Sequence, residues 1–432
     1  MFPICKTKKE KYTKQLGRPE RGQAIILIVF SIIGLIGMIA LAVDGGRAFL
    51  EKRNSQNVAD SVALGGALAR IKGPQSEWVD TAYGIAKASG YDNNGESNSV
   101  AVYSPPVTGR YMDDVEYIQV IITSYVSAYF GTVVGLEKIT VTSDAISRTK
   151  NSELTQILDG NAVISLRPTS ECENVHDMSF WIHGESTLSI TGGGLFVNSN
   201  NPSCALIQSG SGGIRFKDKD REIKVVGGAD IKKPQLITPF PPSTGSAPIS
   251  YPPPFFMPQV GCHKPVIKSL DGLTLSPGSW EEPESFPPKG VRYLEPGVYC
   301  ITNNDFIAKG DDALEGRDVI IKVEGGKIEF GGNTEVDLRA PDQGDLAGLL
   351  IYMPMDNHKP ITLNGNNKSR FNGTILAPGA EIHLNGNASK YGFHSQIIGY
   401  SVLSDGTSDI KITYTDEENL DAYTMPEVQL IK

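Results

Sequence analysis

Residues able to do chemistry are few in this 432-residue chain, which has six His and five Cys. It contains no His-Glu-x-x-His zinc helix, no Gly-x-Ser-x-Gly nucleophile turn, no phosphate loop and no dinucleotide fingerprint. His383 and His394 fall in strand-like stretches, where alternation turns a polar residue outward. Asp305, Asp311, Asp312, Glu315 and Asp318 form the densest acidic group. Oxygen ligands of this kind suit Ca²⁺, but EF-hand spacing is lacking, and a solvated acidic loop is the expectation. No acid pair has a spacing that marks a glycosidase groove. The chain therefore reads as a non-enzyme without cofactor or metal, with a surface carbohydrate-active enzyme as the alternative.

The cysteines point to a compartment. Cys5 sits among basic residues at the start of the chain, and Cys172, Cys204, Cys262 and Cys300 follow much later without any Cys-x-x-Cys. Four cysteines allow three connectivities. Pairing Cys172 with Cys204 and Cys262 with Cys300 keeps each bridge within or beside one lobe, and such bridges persist outside the cytoplasm. Cys5 also offers a site for lipidation, though nothing specific demands it.

The elements that hold these residues begin at a membrane. Residues 1–23 carry seven basic side chains against Glu10 and Glu20, while the whole chain is at −9, so the remainder is strongly acidic. An acidic bulk excludes phosphate-backbone binding as its business, and no nucleic-acid partner is expected. No charged residue lies between Arg21 and Asp44, and 13 of the 20 residues at 24–43 are Ile, Leu, Val or Phe. Twenty helical residues cross about 30 Å of hydrocarbon. The basic lead keeps the N-terminus cytoplasmic and sends the bulk outward, giving a single-pass cell-membrane protein. A cleaved secretory signal, with Ala40-Leu41-Ala42 as the cut, is the competing reading, but the apolar run exceeds the usual h-region. Helical pattern continues to Lys72, where Ser55, Ala59, Ala63 and Ala67 recur every fourth residue. That small-residue stripe suits close approach of another helix or packing on its own domain.

Several of these residues carry a family likeness. Arg21-Gly22-Gln23-Ala24 before the span, Val43-Asp44-Gly45-Gly46-Arg47 after it, and Gln56-Asn57-Val58-Ala59-Asp60-Ser61-Val62-Ala63-Leu64 beyond resemble the N-terminal segment of TadG-like (Flp pilus-assembly, tight-adherence) proteins. The resemblance is dense over residues 20–70 and looser to about Arg148. It implies a single-pass membrane protein of a pilus system, with other pilus-assembly proteins as partners. Two features depart from relatives in that system: a cut after Gly22 would put Leu27 where processed pilins carry Glu, and Asp177-Met178-Ser179-Phe180 lacks the second Ser of a von Willebrand A-type metal site. Prepilin processing and that metal site are therefore not expected.

Residues 44–150 read as this helix followed by a small α+β, pilin-like unit: a helix around Trp78–Ala86, strands at 115–123 and 139–145, and a short helix at 126–136. Beyond it the chain becomes a mainly-β ectodomain, divided into a Gly-rich lobe at 151–233, a Pro-rich linker or insertion at 234–288 holding 14 of the 27 Pro, and a β-helix-like domain at 289–432. The phrase Ile361-Thr362-Leu363-Asn364-Gly365-Asn366 returns as Ile382-His383-Leu384-Asn385-Gly386-Asn387, displaced by 21 residues. One coil of a parallel β-helix or solenoid has about that length, with Asn-Gly at its corners; a β-sandwich with Asn-Gly hairpins is the alternative. The phrase resembles the β-helical ends of secreted surface proteins in pilus-related families. The expected function is display or adhesion at the cell surface, structural rather than catalytic, with a surface glycan as a further partner.

Overall fold

The computed structural model describes residues 21–74, 77–310, 313–331, 334–364, 368–385, 391–407 and 409–431. The basic lead to residue 20, with Cys5, lies outside the described residues, as do the corners Gly365-Asn366 and Gly386-Asn387 and the acidic pair Asp311-Asp312. The chain forms two units, one of residues up to Asn151 together with Pro426 onward, the other Ser152–Met425.

The first unit is built on a single helix, α1 (Arg21–Lys72), about 78 Å long at 1.5 Å per residue. No Pro interrupts it. Its first half is apolar on all sides and uncovered by protein, long and apolar enough to cross a membrane. Its second half lies on an antiparallel sheet in the order β1 (Asn98–Tyr103), β2 (Tyr117–Ser127), β3 (Lys138–Lys150) and β4 (Glu427–Ile431). A second helix, α2 (Trp78–Ala88), packs beside it. Ala59, Val62, Ala63 and Ala67 are fully buried against Ala82 and Ala86 of α2 and Ile118, Val120 and Ile122 of β2. Small side chains are what permit this: a Cβ on Gly66 would stand 3.3 Å from that of Ala82, and one on Gly65 would overlap Ile85 Cδ1.

Two expectations change here. The helix expected at 126–136 contracts to a 3-10 turn, Gly131–Val134, because β2 continues to Ser127 in register with β3. The 289–432 boundary also shifts, since 427–431 leave the β-rich unit and pair antiparallel with 146–150 of β3.

The second unit is a parallel solenoid. Among the described residues, all its strands but one antiparallel pair, Leu154–Gln156 with Asp421–Tyr423, lie in a sixteen-stranded and a ten-stranded sheet, and every pairing within these two is parallel, which excludes the β-sandwich. The repeated phrase pairs with itself: Ile361, Thr362 and Leu363 lie beside Ile382, His383 and Leu384, one 21-residue coil apart. Other coils take more chain, as between Leu338 and Phe371. Inside, Phe286, Phe306, Phe330, Phe371 and Phe393 stack along the axis with ring centroids 5.0–5.5 Å apart. All five are essentially inaccessible to water.

Coil order differs from chain order, and the two expected lobes are one solenoid. Winding runs from Gly278–Trp280 through Gly297–Ile301, Val319–Val323, Leu349–Tyr352 and Thr374–Leu384 to Ile397–Ser404, whose next neighbour is Asn161–Ser165, the first coil of the chain. From there it continues through Gly194–Val197 and Ile223–Val225 to Ser243–Thr244. Gln396 closes this seam, its Nε2 donating to the carbonyls of Ile157 and Asn161, each at 2.9 Å. The Pro-rich segment returns the chain to the far end as a strap. Ile249 bonds Asn198, the Tyr251 hydroxyl donates to Pro378 O, Lys322 Nζ donates to Val260 O, and Val266 N donates to Ser279 O. Phe255 and Val260 of the strap cover Ile164, Ile320, Leu376 and Ile398. Strands beneath it are consequently buried on both faces, and Leu349–Tyr352 is apolar throughout.

Candidate functional site

A polar cluster on the solenoid lines a cleft of about 470 Å³ where Arg167, His176, His358, Glu381, His383, Tyr400 and Ser401 meet. Glu381 and His383 are two residues apart on Thr374–Leu384, so the pleat turns both outward. Glu381 Oε1 takes His383 Nε2 at 2.6 Å and His176 Nδ1 at 3.2 Å. Arg167 fixes the His176 turn, donating to His176 O at 2.7 Å and to Asp177 at 2.9 Å while lying over the Tyr400 ring. The Cys172–Cys204 disulfide closes the loop that carries this turn. His358 shares its Nδ1 with Gly379 O at 3.0 Å.

Burial raises the Glu381 carboxyl, but the hydrogen bond and attraction of His383, then those of His176, outweigh it and hold the group below its ordinary range. Such a carboxylate is an acceptor rather than a proton donor. Both imidazoles bond the same carboxylate oxygen. Among the described residues no His, Cys, Asp or Glu group is arranged to hold a metal. Of the acidic group read from sequence, Asp305 accepts from Lys327 N, whereas Glu315 stands on the ten-stranded sheet beside Asp337. His394 reaches Glu418 at 3.5 Å, away from the cleft.

On α1, several residues that carry the family resemblance, together with Ser55 of the small-residue stripe, bond to β2, β3 and the turn between them. Asp44, buried, accepts from the backbone N–H groups of Tyr129, Phe130 and Gly131 at 2.8–3.0 Å. Arg47 donates to Ser127 O at 2.9 Å and stacks 4.0 Å from the Tyr129 centroid. Gln56 Nε2 donates to both Asp60 and Asp144 O. Ser55 pairs with Ser143 at 2.7 Å, and Ser147 donates to Ala63 O. A Cβ on Gly46 would meet nothing.

Residues 22–69, which span these contacts, match the family model described as Flp pilus-assembly TadE/G-like. Over those residues the helix is similar to TadE/G-like proteins. Residues 294–410 of the solenoid match a second model, described as an ice-binding-like adhesive domain. Comparison with curated proteins and with solved structures returns no match.

Within the TadE/G-like segment, the stripe Ser55, Ala59, Ala63 and Ala67 is fully buried within its own unit, with α2 among its neighbours. Gly22 and Gln23 lie in the first turn of α1, where side chains fall outside the described residues. Downstream, Cys172 bonds Cys204 and Cys262 bonds Cys300, the second bridge tying the strap to the coil Gly297–Ile301. Sequence reasoning missed the cleft's other members. Arg167, His176 and His358 come to the cleft only through folding, and the Glu381-x-His383 alternation was the one local signal.

Proposed function

We propose that this protein is a membrane-anchored, surface-exposed component of a Flp/Tad-type pilus-assembly or adhesion system, with its N-terminus cytoplasmic and its solenoid outside the cell. It acts by holding and presenting surfaces rather than by catalysis. One observation carries the reading: a single chain joins a TadE/G-like helix with an uncovered apolar half to a disulfide-closed parallel solenoid that matches an adhesive-domain model. The cleft supports a binding role. Glycoside hydrolysis ordinarily uses two carboxyl groups, one of them protonated, and among the described residues this cleft is lined by one, Glu381, held toward its charged form. A surface glycan, with hydroxyls to meet the imidazoles, Ser401 and the carboxylate, is the ligand class we assign to it.

The test uses intact cells. Antibodies raised against the solenoid should label them without permeabilisation, and deletion of the gene should reduce attachment. Labelling that requires permeabilisation refutes the orientation. Turnover of a glycan by the purified protein, lost in Glu381→Gln, refutes the non-catalytic reading.

A further inference from the structure

The loop at residues 128–137, between β2 and β3, exposes three large apolar side chains: Tyr129 at 65 %, Phe130 at 39 % and Leu136 at 47 %. Its position is fixed against the helix rather than left free. Asp44 holds the backbone of residues 129–131, and Arg47 clasps Ser127 O and the Tyr129 ring. Asp44 is the first residue after the uncharged run 24–43, so one helical residue, about 1.5 Å of rise, separates the loop's anchor from the end of that run. The neighbouring turn at 92–97 is polar, and Lys138 Nζ bonds Glu96 O, which sets that turn level with the start of β3 while 128–137 lies past the strand ends. The opposite sheet end is the turn at 104–116, where Met112 and Val115 are exposed. Eleven residues of β2, about 36 Å of strand, separate the two ends.

We propose that the loop at 128–137 docks into the interfacial layer of the bilayer, with Tyr129, Phe130 and Leu136 among the headgroups and upper acyl carbons and Arg47 reaching the lipid phosphates. The occupant follows from continuity with the apolar half of α1, which ends beside the loop, and from chemistry: aromatic rings and basic side chains with apolar stems concentrate at this depth. Asp44 then serves as a bracket. Its charge lies just past the hydrocarbon, neutralised by three N–H donors, and it fixes the height of the sheet above the lipid. The proposal rests on the anchor reading of residues 24–43.

The test places single nitroxides on the full-length chain in a Cys5→Ser background, reconstituted into nanodiscs of phosphatidylethanolamine and phosphatidylglycerol. Labels at Tyr129→Cys, Phe130→Cys and Leu136→Cys are compared with Met112→Cys at the far sheet end and Ile33→Cys in the span, using oxygen and a water-soluble nickel chelate as relaxers. The proposal expects nickel accessibility at 129, 130 and 136 several-fold below that at 112, with oxygen accessibility between those at 112 and 33. Values at the loop equal to those at 112, with Ile33 lipid-exposed, overturn the proposal and leave the anchor standing. A water-accessible label at 33 overturns the anchor reading and the proposal together. Phe130→Trp keeps an aromatic ring and gives a second readout: brominated lipids should quench its emission beyond the quenching of wild type, and absence of the extra quenching overturns the docking.

Discussion

Replacing Phe330 by Ala should remove a rung from the aromatic column of the solenoid. Phe330 is 1 % exposed and lies 5.3 Å from Phe306 and 5.0 Å from Phe371, ring centroid to centroid, so truncation empties a site walled by rings on both axial sides. Phe→Ala at a buried site costs about 4 kcal/mol, transfer and cavity together. Unfolding entropy near 2.1 cal/mol/K per residue over the roughly 270 residues of Ser152–Met425 converts this to a Tm drop of about 7 °C. Calorimetry of the detergent-solubilised protein reads it directly. Phe330→Leu, which refills most of the volume, should lose less than half as much. Tyr293→Ala, on an outward position 45 % exposed, should change Tm by little. A drop below about 2 °C for Phe330→Ala, or one matched by Tyr293→Ala, refutes the claim that the column is a closely packed core.

Four other outcomes follow from the same geometry. A paired carboxylate held below its ordinary value adds stability above the unfolded-state value near 4.5 and loses it as pH falls through the folded one; the Tm difference between wild type and Glu381→Gln should therefore vanish in acid. Serine at both Cys262 and Cys300 opens a 38-residue link, about 4 kcal/mol in the chain-entropy treatment, and limited proteolysis should then cut the strap first. Asp44→Ala leaves the N–H groups of Tyr129, Phe130 and Gly131 without their acceptor, and hydrogen exchange at those amides should rise well above that of β3. A chain starting at residue 44 should partition as soluble and folded, whereas one starting at 73 removes Ala59, Val62, Ala63 and Ala67 from the core and should aggregate.

Much of the architecture was written in local patterns. The uncharged run 24–43, the fourfold recurrence of Ser55, Ala59, Ala63 and Ala67, and the repeated Ile-x-Leu-Asn-Gly-Asn phrase each map onto an element whose period they share. What escaped was set by pairing between distant segments. Nothing near Asn161–Ser165 announces Ile397–Ser404 as its neighbour, because apolar alternation specifies a face and not a partner. The strap was legible as extended chain from its Pro content, but its path over Ile320 and Leu376 depends on those strands being apolar on both faces. At the cleft, His383 was read only as an outward strand residue and Glu381 went unmarked, while His176 came from a turn that Arg167 and a disulfide hold in place.

The order of the coils bears on how the protein is made. Synthesis delivers Asn161–Ser165 first, yet the strand that covers its edge, Ile397–Ser404, arrives more than two hundred residues later. Until it arrives the early coils wait with a row of unpaired amides and carbonyls, a template for any passing strand. Loop closure over that distance is slow, and intermediates with open edges invite misassembly. The Pro residues at 234, 239, 241 and 242, beside the last coil of the early block, withhold donors at its other edge. A nascent chain halted before residue 397 should accordingly depend on chaperones, while the completed chain, its seam closed, should not.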